Sequence, residues 1–193
     1  FKNAPKFGND NDFVDNIMVR ATVDVYNIGK TLRDERGDYG VYPNALPISF
    51  MFMAAPMLGA LPNGRKFGEA LCDGGINPQA EFDLSGPWAR MNSALKVDQT
   101  KFKAYIYNQK FDYPSVEGEA GLNKMLDFVL AGMNGGMAQM QFNLVSREML
   151  QDAKKQPEKY PYLSVRVSGY TAFFVGLPEF MQDAVMSRVD QSL

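Results

Sequence analysis

The 193-residue chain contains no histidine and a single cysteine, Cys72. Without histidine, no Ser-His or Cys-His nucleophile pair and no His-ligated metal site can form within the chain. With one cysteine, no intrachain disulfide and no Cys-cluster zinc site is possible, which fits a reducing cytoplasm. Uninterrupted apolar runs are short as well. The longest apolar stretch, Ile48–Leu61, falls below the ~18 residues of a membrane span and is broken by Ser49 and Pro56. There is no surplus of either charge: 20 basic and 22 acidic side chains leave a net charge of −2. Nucleic-acid binding, which needs a cationic surplus, is therefore not expected.

What is present is ordinary globular material, 46% apolar and 22% charged, with 17 Gly and 11 Pro scattered along the chain. The opening residues do not read as a signal peptide. Phe1 falls within FKNAPKFGNDND, which reads as a loop entering a helix. The expectation is a C-terminal part of a longer polypeptide, or a processed or split subunit.

Apolar residues Val14, Ile17, Met18, Ala21, Val25, Ile28 and Leu32 recur at helical steps and predict a helix over about Asp12–Asp34, capped by Asn11 or Asp12. A Pro- and Gly-rich stretch, Tyr39–Pro47, follows. The run Ile48–Met53, apolar but for Ser49, reads as a buried strand. Ala54–Pro87 is punctuated by Pro and Gly and reads as a long loop, of the kind that is functional or interfacial. Lys103–Asn108 reads as a strand. Val116–Met133 reads as a helix with Leu122, Met125, Leu126, Val129, Leu130 and Met133 on one side, stopped by Gly135-Gly136.

Met137–Val145 alternates, with Gln139, Gln141 and Asn143 on one face and Met140, Phe142 and Leu144 on the other. It is either an ordinary half-exposed strand or a barrel strand that turns amides toward a polar cavity. Ser146 caps a predicted helix Arg147–Lys155. Leu163–Val167 and Thr171–Val175 are apolar strands, and Pro178–Arg188 is a closing helix with Phe180, Met181, Ala184 and Val185 on its buried face. Strands alternating with helices argue for α/β.

Between the two last strands stands Ser168-Gly169-Tyr170. A glycine there usually marks a bulge, bend or close backbone approach. It also has a second use. An α-carbon radical on glycine can flatten and delocalise into the flanking amides, free of a side chain that would twist the plane. Such a radical must be shielded from dioxygen, and the flanking apolar strands would provide a sleeve.

Four blocks in order carry a resemblance: FGNDNDFVD (7–15), LPNGRKFGEALCDG (61–74), MQFNLVSREMLQDAKKQPEKYP (140–161) and LSVRVSGYTAFFVGLPEFMQDAVMSR (163–188). Together they resemble the glycyl radical enzymes, the group of pyruvate formate-lyase. The resemblance implies the C-terminal half of a ten-stranded β/α barrel, with residues 1–145 as barrel and 146–193 as glycyl radical domain. It implies a radical stored on Gly169, formed after translation by a radical-SAM activating enzyme, with no bound cofactor or metal. Arg166, Ser168, Tyr170, Gln141 and Asn143 would support the loop, while Arg65 and Asp73 would fix the long loop. The family's catalytic cysteine lies upstream of all four blocks, so Cys72 is read as a small buried residue. An N-terminal portion or subunit carrying that cysteine is an implied partner, along with small accessory subunits and an oligomeric assembly. The setting would be cytoplasmic and anaerobic.

Within the family, Tyr42, Ile48 and Phe50 are read either as plain core or as an apolar wall for a hydrocarbon or aromatic substrate. The wall would resemble the arylalkyl- and alkylsuccinate synthases, which add a hydrocarbon radical to fumarate. Arylacetate decarboxylases come next, then dehydratases and C–N or C–S lyases. Outside enzymes stand the short autonomous radical-carrying proteins that repair a damaged pyruvate formate-lyase, and a scaffold with an inert glycine loop.

Overall fold

In the computed structural model of the protein, residues 3–37 and 40–193 are described; Phe1 and Tyr39, named above, lie outside them. The first helix, α1, runs Asp12–Thr31 and is capped by the Asn11 side chain, which accepts from the Phe13 and Val14 amides. Its facing differs from the expectation. Asp15, Thr22 and Gly29, seven residues apart, are its buried line, whereas Phe13, Ile17, Val25 and Ile28 are exposed. Asp15 is held by Ser93 Oγ at 3.0 Å and Lys96 Nζ at 2.8 Å. Gly29 is fixed by a close approach, since a Cβ there would lie 2.3 Å from the Val41 carbonyl oxygen.

Ile48–Met53 is not a strand. Ile48 adopts a positive φ of 48°, and Phe50–Met53 forms one helical turn, α2. A turn closed by the Phe50 amide on the Pro47 carbonyl at 2.8 Å leads into it, and the Ala54 amide closes the helical turn on the Phe50 carbonyl at 2.9 Å. Beyond a 3-10 turn at Ala55–Met57, the chain has no regular element until helix α3, Pro87–Leu95, which has no counterpart in the sequence reading. Arg65, 2% exposed, holds the long loop: its guanidinium donates to the carbonyls of Gly59 and Ala55, each at 3.2 Å, and of Glu69.

The strand predicted over Lys103–Asn108 pairs farther along, as β1, Asn108–Lys110, after a bridge from Tyr105 to Ala45. A 3-10 turn leads into α4, Gly118–Asn134. Its buried line is Gly121, Phe128 and Gly132; Leu122, Leu126, Leu130 and Met133 of the predicted apolar side are exposed. Strand β2, Gln141–Asn143, pairs parallel with β1, Gln141 opposite Asn108. Helix α5, Arg147–Lys155, starts where Ser146 accepts the Met149 amide at 3.2 Å. Strands β3, Ser164–Arg166, and β4, Thr171–Phe173, form an antiparallel hairpin, and α6, Glu179–Met186, follows. Met181, Gln182 and Val185 are the buried face of α6. Phe180 is largely exposed and meets Phe52 edge-on.

The core falls into two clusters. One gathers Ile76, Met91, Tyr105, Tyr107, Phe111 and Phe128 under α3, α4 and the parallel pair. The other gathers Leu150, Val165, Val167, Phe174, Met181 and Val185, with Met51 and Phe52 inserted from α2. Among the described residues no helix is long and apolar enough to cross a membrane.

Candidate functional site

The hairpin turn Val167–Tyr170 sits against the ends of β1 and β2 and against the long loop. The Val167 amide closes the turn on the Tyr170 carbonyl at 2.9 Å, and Gly169 takes φ +80°, a conformation that disfavours any residue with a side chain. A Cβ on Gly169 would lie 2.8 Å from Ile106 Cδ1 and 3.6 Å from Leu46 Cδ1.

Side chains from three directions grip this turn. From β2, Asn143 behaves as a short extra strand: its Nδ2 donates to the Arg166 carbonyl and its Oδ1 accepts the Arg166 amide, both at 2.7 Å. Gln141 Oε1 accepts from Arg166 Nε at 2.6 Å and from the Gly169 amide at 3.3 Å. From the segment after α6, Arg188 donates Nη1 to the Arg166 carbonyl at 2.7 Å and Nη2 to the Val167 carbonyl. Its Nε pairs with Asp73 Oδ2 at 2.8 Å. From the long loop, the Asp73 carbonyl accepts the Ser168 hydroxyl at 2.6 Å.

Asn108 of β1 joins the cluster through the Asp73 carbonyl at 3.0 Å, and Asn77 Nδ2 donates to Asp73 Oδ1 at 2.6 Å. Arg166 reaches Thr171 Oγ1 at 2.9 Å, and the Tyr170 hydroxyl lies 3.3 Å from Ser49 Oγ. Burial of the Arg188 guanidinium pulls its pKa down, and the Asp73 carboxylate opposes that shift.

The structure thus brings Arg166, Ser168, Gly169, Tyr170, Gln141 and Asn143 together. Arg188, Asn108 and Ser49 belong to the same cluster but carry no local sequence signal, because each meets the turn only through distant chain. Ser168 is fully buried, whereas Gly169 is exposed. The apolar sleeve is therefore partial: Val165, Val167 and Phe174 point into the core, while Phe173 is half exposed. Tyr42, Ile48 and Phe50 do not share a strand face. All three are exposed, and Tyr42 packs on Tyr26 with ring centroids 6.1 Å apart.

A cleft of about 620 Å³ lies beside the Arg188–Asp73 pair, between the long loop and α6, lined by Met51, Leu71, Asp73, Arg90, Phe180 and Arg188 among others. Among the described residues, no group of acidic or cysteine side chains could hold a metal ion.

Cys72 is half-buried, and its thiol is pushed up to about 11 by burial, with the Asp73 carboxylate adding to the shift. Less thiolate at neutral pH, offset in part by the greater nucleophilicity of a more basic sulfur, predicts alkylation roughly 10- to 100-fold slower than for a free cysteine. A rate–pH profile of iodoacetamide labelling checks this. The rate should climb until pH reaches about 11, and a plateau near pH 8 would contradict it.

The sequence and fold around this hairpin glycine are similar to those of known proteins. The glycine radical family profile covers residues 72–175. The chain is 37% identical over 188 residues to indoleacetate decarboxylase of Tractidigestivibacter scatoligenes, covering 97% of this chain and 21% of that one. It is 35% identical over 191 residues to trans-4-hydroxy-L-proline dehydratase of Clostridioides difficile, covering 98% and 24%. The glycerol-bound B12-independent glycerol dehydratase of Clostridium butyricum superposes with a TM-score of 0.92 at 34% identity, over 100% of this chain and 24% of that one. The chain therefore spans about a quarter of the length of the relatives it matches. Its mixed α/β elements correspond to the C-terminal region of their ten-stranded β/α barrel. Members of this family carry a post-translational glycyl radical in place of a bound cofactor, and sequence profile and superposed fold together make this chain a member of the glycyl radical enzymes.

Proposed function

We propose that this chain is the portion of a glycyl radical enzyme that stores an unpaired electron on the Gly169 α-carbon. One observation carries the reading. Gly169 occupies a turn whose neighbouring peptides are held by Asn143, Gln141, Arg188 and Asp73, while Gly169 itself is exposed. A turn fixed in this way keeps its backbone geometry when hydrogen leaves the α-carbon. Its open side, in a chain a quarter of its relatives' length, is where the rest of the enzyme would bring the reacting thiol and shield the radical from dioxygen.

In the proposed sequence, a radical-SAM activating enzyme supplies a carbon radical that takes one hydrogen atom from Gly169. The Gly169 radical then takes the hydrogen of a thiol on the N-terminal portion of the enzyme, leaving a thiyl. The thiyl removes a hydrogen atom from substrate, and the product radical recovers hydrogen from the same thiol. That last step regenerates the thiyl, which takes a hydrogen atom back from Gly169 and so restores the stored glycyl radical. Residues 146–193 serve as the radical domain; the second core cluster, built largely from them, supports that division.

For the reaction, we infer lyase chemistry, in which a substrate radical expels a neighbouring group as carbon dioxide or water. The relatives' names, a decarboxylase and two dehydratases, support this over fumarate addition. The apolar wall that pointed to fumarate rests on a strand the chain does not form. The test uses the full-length protein, activated anaerobically with its activating enzyme and S-adenosylmethionine. It is offered arylacetates, vicinal diols and hydroxyproline, and in a separate arm toluene with fumarate. Turnover in the first group is expected. Turnover with toluene and fumarate alone would overturn the lyase assignment.

A further inference from the structure

We propose that Gln141 tunes the electronic structure of the Gly169 centre, and that Arg166 is the positioning residue that makes this possible. The proposal rests on the reading of Gly169 as the radical site.

The geometry begins with one oxygen. Gln141 Oε1 receives Arg166 Nε at 2.6 Å and the Gly169 N–H at 3.3 Å. Two donors converge on it, and neither can accept. With the amide turned over, its NH2 would face two N–H groups, so the orientation is forced. The surrounding contacts leave little freedom. The Gln141 main-chain amide donates to the Tyr107 carbonyl at 2.9 Å, fixing β2 against the chain leading into β1. Arg166 is tied to Thr171 Oγ1 on its far side and through its own peptide to Asn143. Gln141 is 7% exposed, so little water competes for the bond.

The consequence is chemical. A radical on a glycine α-carbon is stabilised by electron donation from its amide nitrogen and withdrawal by its carbonyl. An acceptor on the N–H raises electron density at nitrogen and strengthens the donating half. Among the described residues, the Gly169 N–H has its hydrogen bond to Gln141 Oε1 and to no other side chain. A strictly structural clamp could use the two Asn143 bonds and Arg188, which hold residues 166 and 167. The Gln141 bond reaches the radical-bearing residue itself.

The test uses the full-length enzyme, activated anaerobically with its radical-SAM activating enzyme and uniformly labelled with 15N. Electron-nuclear double resonance reads the 15N coupling and the coupling of the exchangeable Gly169 amide proton. Gln141→Leu removes the acceptor; both couplings should fall and the radical yield should drop severalfold. Gln141→Glu keeps an acceptor and adds charge; its couplings should match or exceed those of the parent enzyme. Parent couplings in both variants overturn the proposal. If the Leu variant accumulates no radical, the Glu variant decides: raised couplings support the tuning role, and couplings below the parent's overturn it. A parent enzyme that gives no glycyl signal overturns the underlying assignment of Gly169 and this proposal with it.

Discussion

Gly169→Ala should yield an enzyme that gives no radical signal after activation and no cleavage on exposure to air, with turnover lost by at least about 10³-fold, the scale of removing an essential reacting group. The chemical reason is that a methyl group twists and crowds the α-carbon where the radical must lie flat. The structural reason is separate. Gly169 has φ +80°, and an added Cβ would approach Ile106 Cδ1 to 2.8 Å. The left-handed conformation alone costs an L-residue roughly 1–2 kcal/mol.

The two causes can be separated, because the clashing atom is the end of one side chain. Ile106→Val removes Cδ1 at a cost of about 0.5–1.5 kcal/mol. In the double variant with Gly169→Ala, the steric part of the destabilisation should shrink, while the radical stays absent. Thermal unfolding and anaerobic EPR on the same samples report both. A doublet in the Gly169→Ala enzyme would contradict the assignment. Air exposure of the activated parent should cut the chain at Gly169, leaving an N-terminal fragment that ends near Ser168, and the Ala variant should remain whole.

The second large effect is at Arg188. Its guanidinium serves two carbonyls of the hairpin turn and the Asp73 carboxylate at once, and both side chains of the ion pair are largely buried. Removing one member of such a pair leaves a buried charge without its partner and costs about 3–5 kcal/mol. In Arg188→Met, amide hydrogen exchange across Val167–Tyr170 should accelerate by roughly 10²–10³-fold, because local opening loses that barrier. Arg188→Lys should recover only part of the protection, since an ammonium cannot meet three acceptors in the guanidinium's plane. Combining Arg188→Met with Asp73→Asn should cost less than the sum of the two, as the orphaned charge is gone. Unchanged exchange in Arg188→Met would show that Asn143 and Ser168 hold the turn without it.

Where the sequence could be read, the signal was local. Ser146 marks the start of α5 by its own side chain, and Gln141 and Asn143 share a face because strand period is two. The hairpin around Gly169 is legible because two apolar segments flank a turn. Ile48–Met53 is not legible in this way: a short run of five apolar residues and Ser49 has no period that separates strand from helix, and the Pro47–Phe50 turn decides for helix. In α1 and α4 the period located the helix but not its facing. The buried lines use Gly29, Gly121 and Gly132, where backbone or a neighbouring side chain comes close, and the apolar stripes stay exposed in a chain a quarter of its relatives' length. Arg188 could not be read at all. Its role depends on Asp73 and Arg166 meeting it across the fold, a coincidence that no local pattern encodes.

The central claim is that the unpaired electron resides on a glycine α-carbon at position 169. The most direct measurement is the anaerobic EPR spectrum of the activated full-length enzyme, prepared once with ordinary glycine and once with glycine deuterated at the α-carbon. One remaining α-hydrogen predicts a doublet, and the deuterated sample predicts its collapse toward a single line, because the deuteron couples several-fold more weakly. A doublet that survives glycine deuteration, or no doublet from an activating enzyme proven competent on another substrate protein, would contradict the account.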